Sequence, residues 1–182
     1  MSSARLLRCL PDFAQASSDN PTALEPIHNQ KMANNAYLLS SLRKGPIIVR
    51  WIVTHASPEA FDKKSDTERF SFREGVAHLA DWEPILHDRM KLIKENPGGV
   101  MTVYDEVQRA ADMDYANVDP AEAVERWAAA REESIRFLEE NTPGLWNSSA
   151  IHPERGEVSL YDIANMEVAH DTYHIEHLLQ IL

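Results

Sequence analysis

Four stretches of about twenty residues carry helical periodicity, each with its own start or stop signal. "SFRE" (Ser71 to Glu74) reads as a capping box: Ser71 closes the first turn and Glu74 reaches back. It opens a helix over about 72–95, stopped by Pro97-Gly98-Gly99. "DPAE" (Asp119 to Glu122) opens another. Asp119 caps it, and Pro120 sits in the first turn, where a missing N–H costs no bond. That helix runs to about Glu140, and "SLYD" (Ser159 to Asp162) starts the last one, which runs nearly to Leu182. Upstream, "MANNAYLLSSLRKG" and "PIIVRWIVTHA" both have a helical pattern. Gly45-Pro46 between them predicts one interrupted helix over about 33–56. Residues 100–118 read as a polar connection with a short helix at "YDEVQRAAD", and "NTPGLWNSSAIHPERGE" reads as loop. No strand alternation competes. The expected fold is all-α, an antiparallel four-helix bundle over residues 33–182, preceded by an irregular arm over 1–32 rich in Pro, Ser, Asn and Asp.

Charge narrows the partners. A net charge of −11 repels phosphate backbones and anionic lipid, so nucleic acid and membrane are set aside. The two basic stretches, "RLLR" and "DRMKLIK" (88–94), read as solvated faces. Cys9 is the single cysteine, so no intramolecular disulfide forms. No apolar run approaches the roughly 18–20 residues that span a bilayer, and the first residues lack the apolar core of a secretory signal. A cytoplasmic protein is expected.

The last helix carries "VAHDTYHIEHLLQIL". At about 100° per residue, Leu160, Ile163, Ala164, Ile175, Leu178 and Ile181 share one stripe. Glu167, His174 and His177 fall inside it, and His170 at its edge. A buried imidazole without partners costs about 1–3 kcal/mol. Three in one stripe therefore imply either a satisfied polar network or a bound ion. His170 and His174 (i, i+4) project side by side and can share one metal. His174 and His177 (i, i+3) can also pair. His170 and His177 stand about 10 Å apart along the axis, too far for one ion. A third ligand must come from elsewhere: His28, His55, His78, His87 or His152. His28 lies in the arm, His55 at a helix end, His152 in a loop, and His87 is expected toward solvent. His78 lies beside the stripe of Phe72, Val76, Leu79, Leu86 and Met90, with Trp82 one turn on, and is favoured by position.

"FSFREGVAHLADWE", then a long gap, then "SLYDIANMEVAHDTYHIEHLLQI" resembles the DinB/YfiT-like metalloenzyme superfamily. That pattern places His-Leu-x-Asp-x-Glu on a capped helix and His-x-x-x-His on the last one. The likeness covers most of residues 33–182, including Gly45-Pro46 and "RWAAAREESIRFLEE", and leaves the arm uncovered. It implies a four-helix bundle, a homodimer in many members, and one divalent metal on His78, His170 and His174. His177 departs from the pattern, since many relatives carry Gln or Arg there, and its role is open between orienting a ligand histidine, touching substrate and serving as an alternative ligand.

Three neutral imidazoles suit Zn or Ni, and Fe or Mn as well, and leave open positions on the ion. Asp81, Glu83 and Glu167 are candidates for orienting the ligand histidines through their second ring nitrogen. For Asp81 and Glu83 an interhelix ion pair is the preferred reading. Tyr173 and Trp82 flank the site and read as packing. "HDTYH" is superficially like the HExxH protease signature, but Asp171 is shorter than Glu and the third ligand lies upstream. The leading expectation is a metal-dependent enzyme acting on a small molecule. The resemblance implies transfer of a low-molecular-weight thiol, with the metal deprotonating the thiol. The alternatives are metal-assisted hydrolysis and a non-catalytic metal- or ligand-binding bundle.

Overall fold

The computed structural model describes residues 35–67 and 69–182. The arm over 1–32, with Cys9, "RLLR" and His28, lies outside the described residues. Five helices and one hairpin follow: α1 Asn35–His55, α2 Phe72–Glu95, α3 Glu106–Asp112, α4 Pro120–Asn141, β1 Ser149–His152, β2 Gly156–Ser159 and α5 Leu160–Leu179. Helix α1 packs on α4 and α5, and α2 packs on the same two. Helices α1 and α2 thus lie across one diagonal of the bundle, and α4 and α5 across the other.

The helix starts are made by local chemistry. Ser71 and Glu74 form the reciprocal capping box that opens α2. Asp119 caps α4 by accepting from the N–H groups of Ala121 and Glu122, with Pro120 in the first turn. Ser159 and Asp162 close a second capping box on α5.

Two expectations need correction. The 141–157 stretch is not all loop: β1 and β2 pair antiparallel, with Ser149 opposite Ser159 and His152 opposite Gly156. Four-residue strands give too few alternating positions to stand out from a helical background. The first helix is not interrupted either, since α1 runs through Pro46 without a break. A proline ring leaves the carbonyl four residues back without its N–H partner. That carbonyl, on Leu42, accepts instead from Arg131 Nη1 of α4 at 3.0 Å.

Arg131 belongs to a polar layer that divides the core. On one side pack Leu42, Met90, Ile93, Ile135, Leu138, Leu160 and Ile163. On the other pack Val49, Ile52, Phe72, Val76, Leu79, Trp127 and Leu178. Between them Arg131 is buried with Glu83 of α2 and Asp171 of α5. It donates to Glu83 Oε2 from Nε at 2.9 Å and from Nη2 at 2.7 Å. It donates to Asp171 from Nη1 at 2.7 Å and from Nη2 at 3.0 Å. Trp127 Nε1 and Ser134 Oγ also donate to Glu83. Gly45 makes room: a Cβ there would stand 2.5 Å from Asp171 Oδ2. No helix of the described chain is long and apolar enough to cross a membrane.

Candidate metal centre

One turn from this layer, α2 and α5 bring three histidines together. His78 faces inward on α2, next to Val76 and Leu79, because it falls on the buried side of that helix. His170 and His174, one turn apart on α5, meet it. One ring nitrogen from each of His78, His170 and His174 lies within 4.8 Å of the others. His78 Nε2 and His170 Nε2 are 2.9 Å apart. Without an ion, one of these two must carry the proton and donate to the other. The ring centroids are 5.0 Å apart for His78 and His170, 4.7 Å for His78 and His174, and 4.6 Å for His170 and His174.

All three imidazoles are held neutral. Burial, with His174 and His170 adding to it, pushes His78 far below its usual range. Burial and then the Arg131 charge bring His170 down to about 4. Burial, then His170, His177 and Arg69, bring His174 down to about 3. A neutral imidazole keeps a lone pair for a metal. His78 Nδ1 and His174 Nδ1 are buried with no hydrogen-bond partner. The donor set fits a borderline divalent ion: three nitrogen ligands, no carboxylate in the group, and no fourth protein ligand within it among the described residues.

The other expected residues separate. His177 is buried beside the trio, its ring centroid 6.4 Å from that of His174, with Nε2 unpartnered. Burial and the Arg69 charge lower its pKa. Glu167 is fully buried with both carboxylate oxygens unpartnered. Burial, then the charge on Glu83, raises it well above the carboxylate range, so it is held protonated. Asp81 makes no bond to a histidine. It accepts from Arg109 Nη2 at 2.9 Å and from Tyr115 Oη at 2.6 Å, an interhelix ion pair with a tyrosine attached. Glu83 is likewise taken up by Arg131, and Asp171 is turned to Arg131 as well. His87 is half-buried against Phe137, at a ring distance of 5.7 Å, rather than facing solvent. Leu92, Ile93 and Phe137 close that side of α2, so a residue half a turn from His78 still meets the bundle.

Aromatic side chains wall the trio. Phe70 and Trp82 stand 5.1 and 5.3 Å from the His78 ring, Tyr115 stands 6.2 Å from it, and Tyr173 stands 5.1 Å from the His174 ring. Arg69 donates to Tyr173 Oη at 3.0 Å and to Gln180 at 3.3 Å. The sequence reading missed Phe70, Arg69 and Tyr115, which lie on connections whose path the periodicity does not give. Arg131 was missed too, although its place in the inward stripe with Trp127, Ile135 and Leu138 was a readable signal.

The sequence pattern of the DinB superfamily matches residues 42–178. The chain belongs to the DinB superfamily. The match runs from within α1 to within α5 and contains His78, His170 and His174. Among solved structures, this DinB-superfamily chain is similar to YfiT from Bacillus subtilis, described as a probable metal-dependent hydrolase with an unusual four-helix bundle topology. The two share 19% identity over 90% of each chain, with a TM-score of 0.76. That likeness is one of fold. No curated protein matches the chain.

Proposed function

We propose that this protein is a metal-dependent enzyme acting on a small molecule, with hydrolysis as its reaction. The observation that carries the reading is the trio itself: three neutral imidazoles from two helices, two buried and one half-buried, converging without a fourth protein ligand among the described residues. A structural site would close the coordination sphere, whereas a three-ligand site leaves room for water or substrate. Hydrolysis takes precedence over thiol transfer because the similar fold of YfiT is described as a probable metal-dependent hydrolase. Thiol transfer rests on family resemblance alone.

His78, His170 and His174 would hold the ion. A divalent ion bound there would polarise a carbonyl and lower the pKa of a bound water. The chain's own residues supply the remainder. Phe70, Trp82, Tyr115 and Tyr173 would exclude bulk water and take the apolar body of the substrate. His177, neutral with Nε2 unpartnered, would accept a proton beside His174. Arg69, fixed by Tyr173 and Gln180, would hold negative charge at the edge of the site.

The test is metal content followed by turnover. One Zn, Ni or Fe per chain is expected in tag-free protein, lost in His78→Ala, His170→Ala and His174→Ala while the helical signal persists. Ester and amide substrates should then turn over without added thiol. A strict need for thiol would return the protein to the transferase reading. A bound ion with no turnover of either kind would leave a ligand-binding bundle.

A further inference from the structure

Farther along α2 from His78 lies a concave site. Ile85, Arg89 and Leu92 of α2 and Met101, Thr102 and Tyr104 of the following segment line a half-open cavity of about 260 Å³. Its outer wall is fixed by backbone bonds to β1: Met101 N donates to Ile151 O, and Ile151 N donates to Gly99 O, both at 2.8 Å. The cavity is therefore part of the fold.

Arg89 is the unusual member. It is only 9% exposed, and among the described residues no carboxylate forms an ion pair with it. Among the described residues its one hydrogen bond runs from Nη2 to Thr102 O, at 3.3 Å. Its Nε is buried with no partner. The guanidinium lies over the Trp82 ring at 5.8 Å, which engages one face of the cation but none of its N–H groups. Asp88, which also lines the cavity, is bridged to Lys91 at 2.5 Å and is largely exposed. Arg131, in the same bundle, shows the contrast: its charge is met by two carboxylates. A guanidinium stays charged in any accessible environment and calls for a counter-charge when buried.

We propose that the cavity between α2 and residues 100–104 binds a small organic anion, a carboxylate or phosphate monoester on an apolar body, with Arg89 receiving the anionic group. The acidic group would satisfy the N–H groups of Arg89 that the protein leaves open. Ile85, Leu92 and Met101 would cover the apolar part. The site is distinct from the metal centre and does not depend on the hydrolase reading.

Calorimetric titration of the full chain tests this with benzoate, phenyl phosphate, inorganic phosphate and neutral benzamide. Benzoate or phenyl phosphate should bind saturably at one per chain, and whichever binds better names the acidic group. Benzamide should bind about tenfold or more weakly, as expected for loss of a charged hydrogen-bond partner. Inorganic phosphate should also bind more weakly, because it leaves the apolar walls unused. Arg89→Gln should abolish the affinity, and His170→Ala should leave it intact. Val100 stands at the rim and is 68% exposed, so substitutions there spare the core. Val100→Glu should weaken anion binding and Val100→Lys should strengthen it, which decides the matter even if Arg89→Gln does not fold. The proposal fails if no anion binds, if Arg89→Gln binds as well as wild type, if the two Val100 variants bind alike, or if binding disappears with His170→Ala.

Discussion

Two buried polar clusters sit one helical turn apart along α2 and α5, the first joined by Arg131 of α4, and they are built in opposite ways. In the Glu83–Arg131–Asp171 layer every donor is used: five bonds leave Arg131, to Glu83, to Asp171 and to the Leu42 carbonyl. A guanidinium has five N–H groups, so none is left over. In the histidine cluster the only polar contact within the trio is between two ring nitrogens, and Nδ1 of both His78 and His174 is an orphan. Buried polar groups in native proteins nearly always find partners. The first cluster found its partners inside the chain and is architecture. The second has not, and its three converging ring nitrogens suit a metal ion.

The largest expected effect breaks the first cluster. Arg131→Met leaves Glu83 and Asp171 buried without their cation and strands the Leu42 carbonyl beneath Pro46. Chemical denaturation should show a loss of about 3–5 kcal/mol, the scale for removing one partner of a buried ion pair. Replacing the Arg with a group that cannot donate tests the architectural reading directly. A loss under about 1 kcal/mol would show that the layer is not what holds α1, α2, α4 and α5 together.

The pH dependence of the metal-free chain comes next. His170 and His174 titrate near 4 and 3 when folded and near 6.5 when unfolded, in both cases chiefly because of burial. Between those values the unfolded chain binds protons that the folded chain refuses. Stability is therefore full above about pH 6.5 and falls as the pH drops, by up to about 1.4 kcal/mol per pH unit for each imidazole. His170→Ala should flatten that slope in a pH series of melts. An unchanged slope would mean that the histidines are not buried neutral.

Zinc sharpens the comparison further. Free zinc at a hundredfold excess over Kd should stabilise the wild-type chain by about 2.7 kcal/mol. It should not stabilise His170→Ala, and that variant should lose little stability without metal because only a half-buried ring is being removed. The two clusters thus predict opposite patterns: Arg131→Met weakens the fold, whereas His170→Ala spares the fold and loses the ion.

What was legible in the sequence follows the range of the interactions involved. Ser71 with Glu74, and Asp119 with Pro120, form their caps within four residues, so the starts of α2 and α4 were readable. The pairing of His170 with His174 is a property of one helix, and adding His78 needed only the inward side of a second. Gly45-Pro46 was misread because its consequence is distant. The carbonyl that Pro46 frees is taken by Arg131, and the space that Gly45 leaves is filled by Asp171. Nothing near residue 45 in the chain announces either partner. The ion pair preferred for Asp81 does form, but its partners, Arg109 and Tyr115, lie on a connection whose course no periodicity fixes.

Gly45→Ala should have the smallest effect, and it is the one substitution that tests whether the two clusters communicate. Alanine gains about 1 kcal/mol of helix propensity over glycine. Against that gain, the new methyl would stand 2.5 Å from Asp171 Oδ2 and 3.3 Å from the Trp127 ring. Asp171 is short and held by two bonds to Arg131, so it cannot swing aside without breaking them. Overpacking of this kind costs about 1–3 kcal/mol, and the net loss in a thermal melt should be about 1 kcal/mol. Zinc affinity is the more informative reading. Asp171 is the chain neighbour of His170, yet its carboxylate points into the ionic layer. If that layer is architecture alone, affinity should fall less than the roughly 10–100-fold seen when an outer-shell partner of a metal ligand is lost. A fall within that range would show that Arg131 and Asp171 also set the aim of His170, and the two clusters would then be one device.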